Sequence, residues 1–279
     1  MSLLEIYKRH RFKISITVGV VVLESILMIL FPLCIGRAIQ SVLDSNINGI
    51  LELIALCLLV LIFGAIRRYY DTRLYARIYR KLAMKVVDKK EQKNTSSKVA
   101  HVNLLGELVE FFENSLPEII TSIIGLVGTL VIIFTLNITV LGICLAVIVG
   151  IMLVYLLSSK KTLRYNYGYN SELERQVDIL SREHKDQSAL HFKRLMKWNI
   201  KLSDLETFNF SIVWVLLAAL LVSSIKLVGR DGALQFGIIF SIIMYVFQFM
   251  ESTISLPYYY QQVLRLKDIS SRLNKGLSL

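Results

Sequence analysis

The sequence predicts an all-α, polytopic membrane protein: six transmembrane helices that carry long cytoplasmic helical extensions. Three observations lead there. First, 54% of the 279 residues are hydrophobic and the mean hydropathy is +0.57, too apolar for an ordinary soluble chain. The apolar residues also fall in blocks of about 18–20, enough to cross a hydrocarbon core of ~30 Å. Second, the basic residues alternate sides: of 32 Lys and Arg, 29 lie in one set of alternate loops and tails and two in the intervening loops, with Arg37 at a span end. That is the positive-inside pattern. The net charge of +11 therefore sets topology and implies no nucleic-acid partner. Third, the helical pattern does not stop at the end of the second and fourth apolar blocks but continues, charged, for several turns.

In chain order, Lys8, Arg9, Arg11 and Lys13 precede a first span at Ile14–Leu43, which has no small-residue cleavage site and so is not read as a signal peptide. The link Asp44–Gly49 has no basic residue and lies outside. The second span runs from Ile50, its apolar core ending at Ile66, and extends as one amphipathic helix to Lys90. There Leu74, Ile78, Leu82 and Val86 recur every four residues, as do Arg73, Arg77, Lys81, Lys85 and Lys89. This basic stripe is a solvated face, with anionic membrane lipids as its alternative partner. The stretch Glu91–Lys98 turns, Val99–Leu116 climbs back, and the third span is Ile119–Leu136. Asn137 leaves almost no loop before the fourth span, Ile138–Leu157. A charged helical pattern follows to about Leu205, with Tyr165, Tyr167 and Tyr169 as interfacial anchors. The fifth span is Phe210–Leu227, the loop Val228–Gly232 is outside, and the sixth span takes residues 233–256. Pro257 bends or loosens the last helix. The six spans form one domain over residues 1–279, and both termini face the cytoplasm across a plasma (inner) membrane.

Cys34, Cys57 and Cys144 lie in apolar blocks and give neither a disulfide framework nor a metal spacing. His10, His101, His184 and His191 form no HExxH and no Cys/His cluster, so no metal or cofactor is expected. The residues that carry chemistry lie elsewhere. Ser241, Tyr245, Gln248, Ser252, Ser255, Tyr259 and Gln262 recur at alternating spacings of four and three, one stripe of the sixth span. Hydroxyls and amides facing lipid are costly, so the stripe faces protein or a wet cavity. Glu24 lies about ten residues into the first span, ~15 Å deep when counted from Ile14. With no Lys or Arg placed at that depth, it is read as a cavity-facing carboxylate that binds a cation or carries a proton. The alternative is a protonated Glu hydrogen-bonded to a neighbouring helix. Glu251 lies beside Gln248 and Ser255 near the inner interface, lining the cavity mouth or simply solvated. Arg37 snorkels to the outer interface.

Short runs of residues add a resemblance. Phe31-Pro32-Leu33-Cys34-Ile35-Gly36-Arg37-Ala38-Ile39 looks like a Pro-x-x-Ile-Gly-x-Ala-Ile run, and Gly232-Ala233-Leu234-Gln235-Phe236-Gly237 is similar to a Gly-x-Leu-Thr-x-Gly turn. With Glu113-Asn114-Ser115-Leu116-Pro117 before the third span, the whole chain resembles the membrane domain of ABC exporters of the type I arrangement. The resemblance implies that fold, a homodimer or heterodimer around a central cavity, and fourth and fifth spans that cross to the partner subunit. It also implies cytoplasmic hairpins that sit on ATP-binding domains. No GxxxxGK[ST] occurs, so these residues hold no ATP site. The ATPase domain would begin where this chain ends and is expected, if at all, on a separate ATP-binding subunit. Ser97-Lys98 stands where the resemblance calls for Gly-Glu, and no Lys-x-Phe run follows Asn170.

The reading is a non-enzymatic membrane subunit of a transporter that moves a small or amphipathic solute by alternating access. Glu24, Ser241, Tyr245, Gln248, Glu251, Ser252 and Ser255 form its substrate or proton pathway. The alternatives are a proton-coupled transporter of the same fold that needs no ATPase, and a non-transporting regulatory or assembly protein.

Overall fold

A computed structural model describes residues 3–88, 95–181, 185–230 and 235–275, and among them every regular element is helical. Six helices are long and apolar enough to span a membrane: Phe12–Leu43, Asn48–Met84, Val102–Leu136, Ile138–Ser181, Asp186–Arg230 and Phe236–Leu266. They gather into two compact units, one of Met1–Asn137 with Asp231–Leu279 and the other of Ile138–Arg230.

The larger unit begins with α1 (Leu3–Ile29) and α2 (Phe31–Leu43), so the expected single first span is broken at Leu30. Pro32 explains the break. It offers no N–H, and its ring would collide with the carbonyl of Met28 in a continuous helix. The chain tightens instead, Leu30 N donating to Leu27 O at 3.1 Å, and restarts with Pro32 in the first turn of α2, where its missing N–H is harmless. A short turn follows, with Ser45 at φ 55°. Ser41 Oγ ties it by donating to Asn46 O at 2.7 Å and accepting from Gly49 N at 3.1 Å. Across this hairpin Arg37 Nη1 lies 3.2 Å from Glu52 Oε2, an exposed ion pair.

α3 (Asn48–Asp88) runs unbroken from the span into the charged extension. Leu74, Ile78 and Leu82 are buried against Leu105, Leu108 and Val109 of α4 (Thr95–Glu110) and against Ile269 of α9 (Phe236–Lys275). Arg73, Arg77 and Lys81 are exposed on the opposite face. The four-residue periodicity thus produces a helix–helix core at the end of the unit remote from the α2–α3 turn. Lys89 and residues 91–94 of the expected turn lie outside the described residues, as do the side chains of Lys85 and Val86.

After α4 the helix widens to a π-turn at Phe111–Ser115 before α5 (Leu116–Leu136). Pro117 stands at the start of α5, and the wider turn accommodates its missing N–H and bulky ring. α9 then packs on α2 at very close range. A Cβ on Gly36 would lie 2.3 Å from Gly237 O, and one on Gly237 would lie 2.2 Å from Gly36 O. The glycines of the two motifs are there because two backbones touch. Residues 232–234 of the second motif lie outside the described residues. Helical structure continues through Pro257.

The smaller unit is a helical pair, α6 (Ile138–Glu174) and α8 (Lys185–Arg230), with the short α7 (Gln176–Ser181) between them in sequence. Ser158 Oγ donates to Asn209 Oδ1 at 2.6 Å, and His191 Nδ1 meets Glu172 Oε1 at 3.1 Å. Tyr165 packs its ring 6.2 Å from that of Trp198, with Lys201 Nζ 4.6 Å above the indole. Tyr165 is therefore part of a helix–helix contact, whereas Tyr167 is 77% exposed. The fifth span is also longer than expected: Val228–Arg230, read as loop, is helical.

Candidate functional site

The two ends of the larger unit each hold a cavity. The larger, about 540 Å³, opens among α1, α3, the π-turn, α5 and α9. α1 contributes Ser25, Met28 and Ile29; α3 contributes Arg67, Arg68, Asp71 and Thr72. Glu113 and Asn114 come from the π-turn, and Glu118, Thr121, Ser122 and Gly125 from α5. α9 supplies Gln248, Glu251, Ser252, Ser255 and Tyr259. Counted from Leu136 at the end of α5, Gly125 is ~16 Å and Glu118 ~27 Å down the helix. The cavity thus extends from mid-membrane to the boundary of a ~30 Å apolar layer, at the end away from the α2–α3 turn.

The wall between α1 and α3 is electrostatic. Arg67 Nε lies 2.5 Å from Glu24 Oε2, and Arg67 Nη1 lies 3.4 Å from Asp71 Oδ2. Thr17 Oγ1 donates to the other Asp71 oxygen at 2.9 Å. The expectation that Glu24 lacks a cationic partner is thereby corrected: one guanidinium is shared between two carboxylates, with little of any of the three side chains exposed. On the α1–α5 side, Ser25 Oγ and Thr121 Oγ1 are hydrogen-bonded at 2.9 Å. At the foot of the cavity Ser115 Oγ lies 3.5 Å from Gln262 Oε1.

The second cavity, about 470 Å³, is at the turn end, lined by Arg37, Gln40, Asp44, Glu52, Gly237 and Ser241 among others. Between the two cavities α9 is closed. Ile242, Tyr245, Val246 and Phe249 have no exposed surface, and Tyr245 Oη donates to Ile29 O at 2.8 Å. Ser241 Oγ lies 2.9 Å from Pro32 O and 3.0 Å from its own helix's Gly237 O. The carbonyls of the α1–α2 break thus receive hydroxyls from α9.

Of the residues singled out in the sequence, Gln248, Glu251, Ser252 and Ser255 are brought together in the larger cavity. Ser241 lines the smaller one, Tyr245 sits in the closed layer, and Glu24 lies behind the wall, held by Arg67. Sequence reasoning missed Arg67, Asp71, Glu113, Glu118, Thr121 and Ser122. One polar atom of the lining, Gln248 Oε1, is buried with no hydrogen-bond partner. The described residues hold no grouping of three His, Cys, Asp or Glu able to bind a metal ion.

Residues 3–237 match the family described as ABC transporter transmembrane region. No curated relative matches the chain. The matched stretch contains α1 to α8 and stops at the start of α9, so the part of the larger cavity built by α9 lies beyond it.

Proposed function

From the premise that this multi-pass membrane protein belongs to the ABC transporter transmembrane region family, we propose that it moves a small solute by alternating access, through the two cavities of its larger unit. The observation that carries this reading is the pair of polar cavities at opposite ends of one helical unit, separated by the closed layer at Tyr245. The polar stripe of α9 is then a path: Ser241 at the turn end, Tyr245 as the septum, and Gln248, Glu251, Ser252 and Ser255 at the other end. Glu24 positions Arg67 in the wall.

In this reading two copies, or this chain and a related one, enclose the path. The separate compactness of α6 and α8 fits an arrangement in which the fourth and fifth spans cross to the partner subunit. ATP hydrolysis comes from an ATPase outside these 279 residues, which contain no phosphate-binding GxxxxGK[ST] loop. The termini and the α3–α4 extension, rich in Lys and Arg, face the cytoplasm of a plasma (inner) membrane.

The test is reciprocal accessibility. Cysteines placed at Ser255 and at Gln40, one in each cavity, are labelled in native membranes with and without vanadate to trap a co-assembled ATPase. The two positions should exchange reactivity. Unchanged labelling at both would overturn alternating access.

A further inference from the structure

The larger cavity is polar, and its charge is also unbalanced. Four carboxylates line it, Asp71, Glu113, Glu118 and Glu251, against two guanidinium groups, Arg67 and Arg68. Arg67 is already committed to Glu24 and Asp71. Glu113, Glu118 and Glu251 have no cation within ion-pair distance among the described residues, and only Arg68 remains to offset them. Glu118 and Glu251 stand exposed at the rim with Glu113 half-buried beside them, so the opening carries a net negative field that draws in a positive guest. A second observation points the same way. Gln248 Oε1 is a buried acceptor in the cavity wall that no donor reaches. A ligand carrying N–H donors satisfies such a group.

We infer that the cavity selects an organic cation, a protonated amine or guanidinium compound. Glu113, Glu118 and Glu251 neutralise its charge, and Gln248 accepts one of its N–H bonds. Charge-assisted hydrogen bonds of this kind are the strong ones. At about 540 Å³ the cavity suits a small molecule. A bare metal ion is a poor fit, because no three ligating side chains converge among the described residues. The inference rests on the cavity being part of the solute path proposed above.

The test separates the two ideas. With Cys34, Cys57 and Cys144 changed to alanine, Ser252→Cys places one thiol in the cavity of the full chain in detergent. Its labelling rate is measured with a cationic trimethylammonium-ethyl thiosulfonate and with an anionic sulfonatoethyl thiosulfonate. Any change in thiolate fraction affects both reagents equally and cancels in their ratio. Relative to a free small thiol, the cationic reagent should be favoured by about tenfold or more. The preference should collapse in ~1 M salt, where screening reaches a few ångströms. Glu113→Gln with Glu251→Gln should lower it several-fold, and the salt dependence stands as the readout should that variant misfold. Brisk labelling by both reagents at the free-thiol ratio would overturn the cation inference and leave the path intact. Labelling by neither would overturn both.

Discussion

Arg67 is held by two carboxylates from two helices, and this makes it the most sensitive single side chain of the larger unit. Removing it leaves Glu24 and Asp71 facing each other, mostly out of water, with no cation. Arg67→Ala should therefore cost about 3 kcal/mol, the range for breaking a buried pair from one side. Glu24→Gln keeps a hydrogen-bond acceptor for Arg67 Nε and leaves Asp71 as counter-charge, so it should cost ~1 kcal/mol. Thermal unfolding in detergent checks the order, and an Arg67→Ala protein as stable as the parent would refute the wall. Combining Glu24→Gln with Arg67→Met should cost less than the two separately, because the groups act as a unit. Glu24 was legible in the sequence and its partner was not, for a geometric reason. The apolar stretch Phe12–Leu43 has 32 residues, far more than ~20 needed to cross, so depth counted from Ile14 is undefined by several turns. Counted from the α2–α3 turn, Glu24 lies nineteen residues before Leu43 and Arg67 nineteen after Asn48. A short turn is the reliable origin for depth, and from it the pair follows.

At the scale of the element, α9 shows how one polar stripe serves three environments. Near its start it must lie close to α2, which the glycines permit. Gly237→Ala would drive a methyl group into Gly36 O, a clash with backbone that no rotamer relieves, so a loss of about 3 kcal/mol or more is expected. Size-exclusion profiles and thermal unfolding of Gly237→Ala against Gly229→Ala, where a Cβ meets nothing within 4 Å, would show the difference. Two turns further on, Tyr245 gives its hydroxyl to Ile29 O with no surface exposed. Tyr245→Phe leaves the ring and removes the donor, which should cost about 1 kcal/mol without changing the labelling preference at Ser252. A changed preference would mean that the septum and the larger cavity are one site. The spacing of four and three revealed the stripe, because periodicity survives whatever the helix packs against. Which part is wet was not legible: that depends on the break at Leu30, which exposes carbonyls to Ser241 and Tyr245, and on Gly125 of α5, which stands opposite Ser252 with no side chain to fill the space. The cavity's acidic residues on α5 and the π-turn escaped for a related reason, since Glu113 and Glu118 read as ordinary charges flanking a span until Pro117 and the widened turn are seen to aim that segment inward.

At the scale of the whole molecule, the sequence is informative about topology and silent about closure. Six apolar stretches and the 29-to-2 division of basic residues were readable because lipid enforces both along the chain. The division of the helices into two compact units was not, because it depends on which apolar faces meet, and long lipid-facing helices are apolar all round. Topology predicts that a cysteine at Asn46, in the α2–α3 turn, reacts with an impermeant reagent from outside, and that one at Arg77 reacts only after the membrane is opened. Closure requires a further step. The larger cavity is bounded by α1, α3, α5 and α9, yet Glu118 and Glu251 remain exposed at its rim, so one copy of the larger unit leaves the path half-walled. Carboxylates so close to the apolar layer are costly against hydrocarbon and are favoured against protein or water. A second subunit laid across the opening satisfies this, and the α9 stripes of two copies would then face one space. With the native cysteines removed, Ser252→Cys in native membranes, treated with a bifunctional thiol reagent long enough to span a small-molecule cavity, should give a band at twice 31.9 kDa. Prior treatment with a monofunctional thiosulfonate should abolish that band, since both thiols lie in the same cavity. If Ser252→Cys is labelled efficiently by the monofunctional reagent yet never cross-links to a second copy at native expression, the homodimer is wrong. Cross-linking instead to a different chain would identify the heterodimer, with half of the solute path supplied by that partner.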